Sequence, residues 1–158
     1  MPTPLWEEKP RVYGIRDSLQ MVWVLDGNSL IAAPLSNSVK PVFLELVACR
    51  DTEFRNEEKG NLVYLAIQGK DLCILCAEIQ GKPTLQLKEK MIMNLYLEKK
   101  GPKPFFFFHN KEGSTSVFES VSYPGWFIAT FPTAGQPVIL TQKRDITTNT
   151  NFYLHPKN

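Results

Sequence analysis

Apolar residues arrive in short bursts along this chain, mostly four to seven residues long, with glycine, proline, asparagine or aspartate between them. Bursts of that length, rich in β-branched and aromatic residues, predict strands rather than helices. The pattern places strands over 12–16, 21–25, 29–33, 42–48, 62–67, 72–77, 84–88, 105–109, 115–120, 126–130, 138–141 and 152–154. Turn chemistry fits the gaps. Asp26-Gly27-Asn28, Gln68-Gly69-Lys70-Asp71 and Gln80-Gly81-Lys82-Pro83 each separate two apolar runs, and Asn110-Lys111-Glu112-Gly113 is expected to close a further hairpin. Glycine supplies the positive φ that such turns require. One stretch, 88–97, carries the i, i+3, i+4 spacing of a helix at Ile92, Leu95 and Tyr96, and Gly101 and Pro102 stop it.

Twelve short strands with at most one short helix make an all-β sandwich or barrel. Twelve also divides into three fours, as a β-trefoil requires. No clean internal repeat is present, so periodicity alone does not choose between them.

Composition narrows the setting. The 158 residues suit one domain, and 43% hydrophobic residues suffice for a core without disulfide or metal support. Residues 1–12 hold three prolines and two glutamates and no core pattern, which predicts a flexible tail before a domain over 13–158. The net charge is +2 with both signs mixed, which argues against nucleic-acid binding and gives no polybasic membrane patch. The tail lacks the apolar run of a signal peptide, and no segment reaches the ~18 apolar residues of a membrane span. Cys49, Cys73 and Cys76 are too few for a disulfide framework, and no asparagine starts an N-x-[ST] acceptor. These features predict a chain made in the cytoplasm; if it acts outside the cell, it leaves by a non-classical route.

Candidate chemistry is sparse. His109 reads as a strand-end residue, and His155 falls near the C-terminus, where chains fray. Cys73 and Cys76 form a C-x-x-C, but on a strand residues three apart face opposite ways, and no second pair completes a zinc site. Two small hydrophobes on a buried strand are the simpler reading. Phosphate-loop, dinucleotide and nucleophile-elbow motifs are lacking. The sequence predicts no catalytic residue, no cofactor and no metal. Two long polar stretches, 50–61 and 142–151, are the places where a β scaffold would carry binding residues.

The segment FESVSYPGWFIAT over 118–130 resembles the signature of the interleukin-1 family. Phe118, Ser120, Pro124, Phe127, Ile128, Ala129, Thr130 and, eight positions on, Val138 match its fixed positions. The motif reads as a structural corner, with a Tyr-Pro-Gly turn between two strands. LDGNSLIAAPL over 25–35, CILC over 73–76, PTLQLKEK over 83–90, IMNLY over 92–96 and PVILT over 137–141 look like the interleukin-36 branch, and the likeness runs from about residue 13 to 154.

The resemblance implies a β-trefoil that is monomeric before binding and performs no chemistry. It would bind the interleukin-36 receptor and recruit the interleukin-1 receptor accessory protein, which starts NF-κB signalling. It implies trimming about nine residues before an aliphatic-x-Asp motif. Here Ile15, Arg16 and Asp17 supply that motif, which places the cut between Leu5 and Trp6. It also assigns receptor contacts to the two long loops: Arg50, Glu53, Phe54 and Arg55 in the first, Lys143, Arg144, Asp145 and Ile146 in the second, with Phe54 and Ile146 as apolar anchors. The CRDTEF segment over 49–54 and HNKEGSTS over 109–116 match the agonists of the branch better than its antagonist. A receptor antagonist, and a lectin or heparin-binding trefoil, stay open as alternatives.

Overall fold

Six strands of this chain close into a ring. In the computed structural model, which describes residues 9–51, 53–98 and 100–157, the strands are β1 (Arg11–Asp17), β2 (Met21–Asp26), β3 (Ser29–Pro34), β4 (Phe43–Ala48), β5 (Asn61–Ile67), β6 (Leu72–Ile79), β7 (Lys82–Glu89), β8 (Phe107–Glu112), β9 (Thr115–Ser120), β10 (Phe127–Ala129), β11 (Gln136–Pro137), β12 (Ile139–Thr141) and β13 (Phe152–Pro156), with one helix, α1 (Ile92–Leu97). β1 pairs with β4, β4 with β5, β5 with β8, β8 with β9, β9 with β13, and β13 returns to β1, all antiparallel. The remaining long strands form hairpins β2–β3 and β6–β7 and the pair β10–β12. One hairpin therefore follows β1, one β5 and one β9, which is the threefold plan of a β-trefoil.

Closing the ring removes exposed edges from the barrel and creates two apolar compartments. The first holds Trp23, Leu44, Leu65, Ile74, Phe107, Phe118, Ile128 and Phe152 inside the barrel. The second lies outside it, where α1 packs against β5 and β4 and the 3-10 turn Lys103–Phe105 against β6, so that Leu95, Tyr96, Phe105 and Phe106 gather with Tyr64 of β5 and Phe108 of β8. β5 divides its residues between the two. Val63, Leu65 and Ile67 enter the barrel, and Leu62, Tyr64 and Ala66 enter the outer cluster. That double burial explains why β5 reads as a continuous apolar run and why four phenylalanines can stand in sequence at 105–108. Each such side chain contributes about 1.5–3 kcal/mol of transfer free energy on burial.

The structure corrects several expectations. β1 begins at Arg11, inside the segment expected to be tail, because Arg11 and Val12 pair with Leu46 and Glu45. The helix starts at Ile92, not residue 88. Lys88 and Glu89 belong to β7, held across from Cys73 and Leu72. Residues 105 and 106 are not strand, since Pro104 favours the 3-10 turn there. The turn expected at 110–113 moves on to Gly113-Ser114, with Gly113 at φ 63° and Glu112 opposite Thr115. Among the described residues thirteen strands replace twelve, because a further two-residue strand forms just before the run expected at 138–141. Gln136 and Pro137 pair with β3, residues 139–141 pair with β10, and buried Val138 crosses between them, its N–H donating to the Leu30 carbonyl at 2.9 Å. His155 is not frayed; it sits in β13 opposite Gly14.

Candidate functional site

The family-signature residues form one corner of the barrel. Phe118, Ile128 and Ala129 are fully buried, and Val138 nearly so. The Ser120 hydroxyl accepts the Tyr123 N–H at 3.0 Å, and the Trp126 N–H donates to the Tyr123 carbonyl at 3.1 Å, closing the turn through Pro124 and Gly125. Gly125 stands at φ 86°, where other side chains are strained. The next strand starts at Phe127 rather than at residue 126.

The aliphatic-x-Asp motif meets this corner from across the barrel. Ile15 is core. Asp17 has no exposed surface, and its carboxylate accepts Leu19 N–H at 2.8 Å, Met21 N–H at 3.0 Å and the Thr130 hydroxyl at 2.7 Å. Two motifs far apart in sequence thus share one buried hydrogen-bond centre. Between them Arg16 stays on the outside, stacked on Tyr153 at 4.5 Å and donating to His155 Nε2 at 2.9 Å. The expected trimming residues Leu5 and Trp6 lie outside the described residues. The nearest described residue, Lys9, lines a cavity of about 620 Å³ at the end of the barrel where β1 begins. Arg11, Tyr13, Leu46, Val63 and Lys111 line it from four strands, and Arg55 reaches it from the first long loop.

That loop, 49–60, joins β4 to β5. Arg55 and Glu53 are exposed, the latter with its N–H on the Asp51 carboxylate at 2.9 Å. Phe54 is half-buried rather than a free anchor. Its ring meets Phe106 edge-on at 5.7 Å, and Lys103 Nζ lies 4.7 Å over it. Arg50 also turns inward, over Tyr96 at 5.5 Å and donating to the Leu97 carbonyl at 3.3 Å.

The second loop, 142–151, joins β12 to β13. Arg144 is held by the molecule itself. It forks onto the Glu112 carboxylate at 2.8 and 2.6 Å, donates through Nε to the Thr150 hydroxyl at 2.9 Å, and lies 5.0 Å over the Phe127 ring. Asp145 accepts the Thr147 N–H at 2.9 Å and its hydroxyl. Lys143 is exposed, and Ile146 is 98% exposed, an apolar side chain wholly in solvent. Hairpin β8–β9 lies between the two loops. Asn61, which follows the first, pairs with His109, and Phe152, which follows the second, pairs with Ser116.

Sequence reasoning missed Glu112, which it read as a turn residue, and Asn151, whose amide donates to the same carboxylate at 2.9 Å. Nothing in the local pattern marks either. The arginine and the amide hold the Glu112 carboxyl far below its usual range, at about 2. The cysteine reading holds. Cys76 enters the barrel compartment and Cys73 the outer one, so the pair cannot grip one metal, and burial pushes both thiols up to about 12. His109 is not at the strand end. It lies within β8, stacked on Phe118 at 4.9 Å and 2.7 Å from the Ser116 hydroxyl, and burial lowers its pKa.

A closed six-stranded ring with three hairpins, an intact signature corner and two long exposed loops defines a trefoil of the cytokine kind. The sequence model described as Interleukin-1 / 18 matches residues 37–154. The chain belongs to the interleukin-1 family. Within it, the chain is 60% identical over 147 residues to mouse interleukin-36 beta, covering 93% of this chain and 80% of that one. It is 38% identical to the human interleukin-36 receptor antagonist protein, covering 82% of each. Among solved structures it superposes on the NMR structure of the pro-inflammatory cytokine interleukin-36alpha with a TM-score of 0.82 at 41% identity, over the whole of both chains.

Proposed function

We propose that this chain is an agonist of the interleukin-36 type. It binds the interleukin-36 receptor through loops 49–60 and 142–151 and then recruits the interleukin-1 receptor accessory protein, so that their joined cytoplasmic parts start NF-κB signalling. Trimming between Leu5 and Trp6 activates it, and it leaves the cell by a non-classical route after synthesis in the cytoplasm. The observation that carries this reading is the 60% identity to mouse interleukin-36 beta over almost the whole domain. The physical arrangement supports it: a rigid trefoil presents an exposed apolar side chain, Ile146, on a braced polar loop. Seated in a partner's pocket, such a side chain would be desolvated within a rim of polar contacts, the surroundings that binding hot spots have.

The second reading, a receptor antagonist, is favoured by the 38% match to the human antagonist. An NF-κB reporter in cells bearing both receptor chains separates the two. A stronger response to the form starting at Trp6 than to the full chain supports the agonist. Silence from both forms, with block of an added agonist, makes the protein an antagonist. Silence without block removes both readings.

A further inference from the structure

Loop 142–151 is fixed in two halves by different means. Its second half is pinned by backbone: the N–H groups of Thr130 and Asn149 each donate to the other's carbonyl, at 2.9 and 2.8 Å, and the Ser18 hydroxyl donates to the Asn149 side chain at 2.9 Å. Among the described residues its first half has no such ladder. Among the described residues, the one charged group outside the loop that holds it is Glu112, through Arg144. The same carboxylate takes the Asn151 amide, so one side chain on β8 ties the two ends of the segment 144–151 together. Asn151 also donates to the Thr115 hydroxyl at 2.9 Å, on the far side of the hairpin turn.

Three of Arg144's five N–H donors and one face of its plane are engaged within the molecule: the fork on Glu112, Nε on Thr150, the flat face over Phe127. A planar guanidinium matched to a carboxylate fixes direction as well as distance. What the clamp leaves outward is Ile146, two residues on.

Resting on the receptor reading above, we infer that Glu112 is a positioning residue for partner binding. It presents Ile146 to an apolar socket on the receptor without touching the receptor itself, and Arg144 serves as its tether rather than as a contact. The instruction carried by loop 142–151 is therefore written partly in hairpin β8–β9.

The test uses the trimmed full domain with four variants: Glu112→Gln, Arg144→Glu, the charge exchange Glu112→Arg with Arg144→Glu, and Ile146→Asp. Three readouts are taken: the melting temperature, affinity for the receptor ectodomain in the presence of the accessory chain, and backbone amide shifts of residues 145–148. Glu112→Gln is expected to weaken affinity about tenfold, to move the amides around Ile146, and to leave the melting temperature nearly unchanged. The charge exchange is expected to recover part of the affinity lost by Arg144→Glu, a coupling that a merely structural role would not produce. Ile146→Asp should lose affinity with unshifted amides elsewhere. Wild-type affinity in Glu112→Gln, or an exchange no better than the single variant, overturns the inference. If the wild type binds no receptor, the receptor reading falls. Glu112's hold on the loop is then decided by the amides: movement at 145–148 in Glu112→Gln sustains that hold, and their constancy overturns it.

Discussion

Asp17 shows how one side chain can serve two motifs. Its carboxylate is fully buried and satisfied by three donors, two of them backbone N–H groups of the turn into β2 and one the Thr130 hydroxyl. Removing it would orphan a buried amide and a buried hydroxyl, each worth about 1–3 kcal/mol. Asp17→Ala is therefore expected to lower unfolding free energy by about 3 kcal/mol in urea titration, and Thr130→Val by less, since only one donor is lost. Phe152 is fully buried against Trp23 at 5.4 Å. Phe152→Ala should cost about 3–5 kcal/mol, through lost transfer energy and the cavity left behind; a smaller loss would mean the barrel collapses into the gap.

At the scale of elements, hairpin β8–β9 braces both long loops. On one side Gly60, at φ 110°, lies so close to the His109 backbone that a Cβ would collide with its carbonyl. Gly60→Ala should destabilise the domain and disorder the 49–60 loop, which amide hydrogen exchange would register as lost protection. On the same hairpin, burial first and Lys111 second lower the pKa of His109. The unfolded chain then binds a proton that the folded one refuses. Stability is full above pH 6.5 and falls as pH drops below it. Replacing His109 with Gln should flatten the stability–pH curve just below pH 6.5; an unchanged slope would place the proton elsewhere. Glu112 behaves in the opposite range. Its carboxyl, lowered from 4.5 to about 2 chiefly by Arg144, makes a contribution that solvent screening keeps small in so exposed a pair; it is present above pH 4.5 and lost as pH falls toward 2. The loop clamp thus stays closed through the whole mildly acidic range.

For the whole molecule, the ring closes only when the last strand reaches the first. β13 pairs with β1 along Tyr13–Asp17, and Lys157 N–H donates to the Val12 carbonyl at 2.9 Å. Because β1 starts at Arg11, a form beginning at Trp6 keeps every pair of the ring, whereas one beginning at Tyr13 loses the Arg11–Leu46 and Val12–Glu45 pairs. The second form should melt several degrees lower, by a few lost strand contacts; equal melting temperatures would show that this end of the sheet carries no stability.

The alternation of short apolar runs and turn residues was enough to determine an all-β chain, because side-chain period and glycine placement are local properties. The signature over 118–130 was equally legible, since turn and core corner lie within one stretch of sequence. The boundaries that failed were those set by neighbours: Lys88 fitted either a strand end or a helix start and Glu89 read as helix, until β6 claimed both across the sheet. The double burial of β8 was visible only as an unexplained run of phenylalanines, because nothing local says that a second cluster covers the outside of the barrel. The inward turn of Phe54 and Arg144 and the role of Glu112 were likewise hidden. Each depends on partners tens of residues away, and only the closed barrel brings a carboxylate on β8, an arginine after β12 and an amide before β13 to one point.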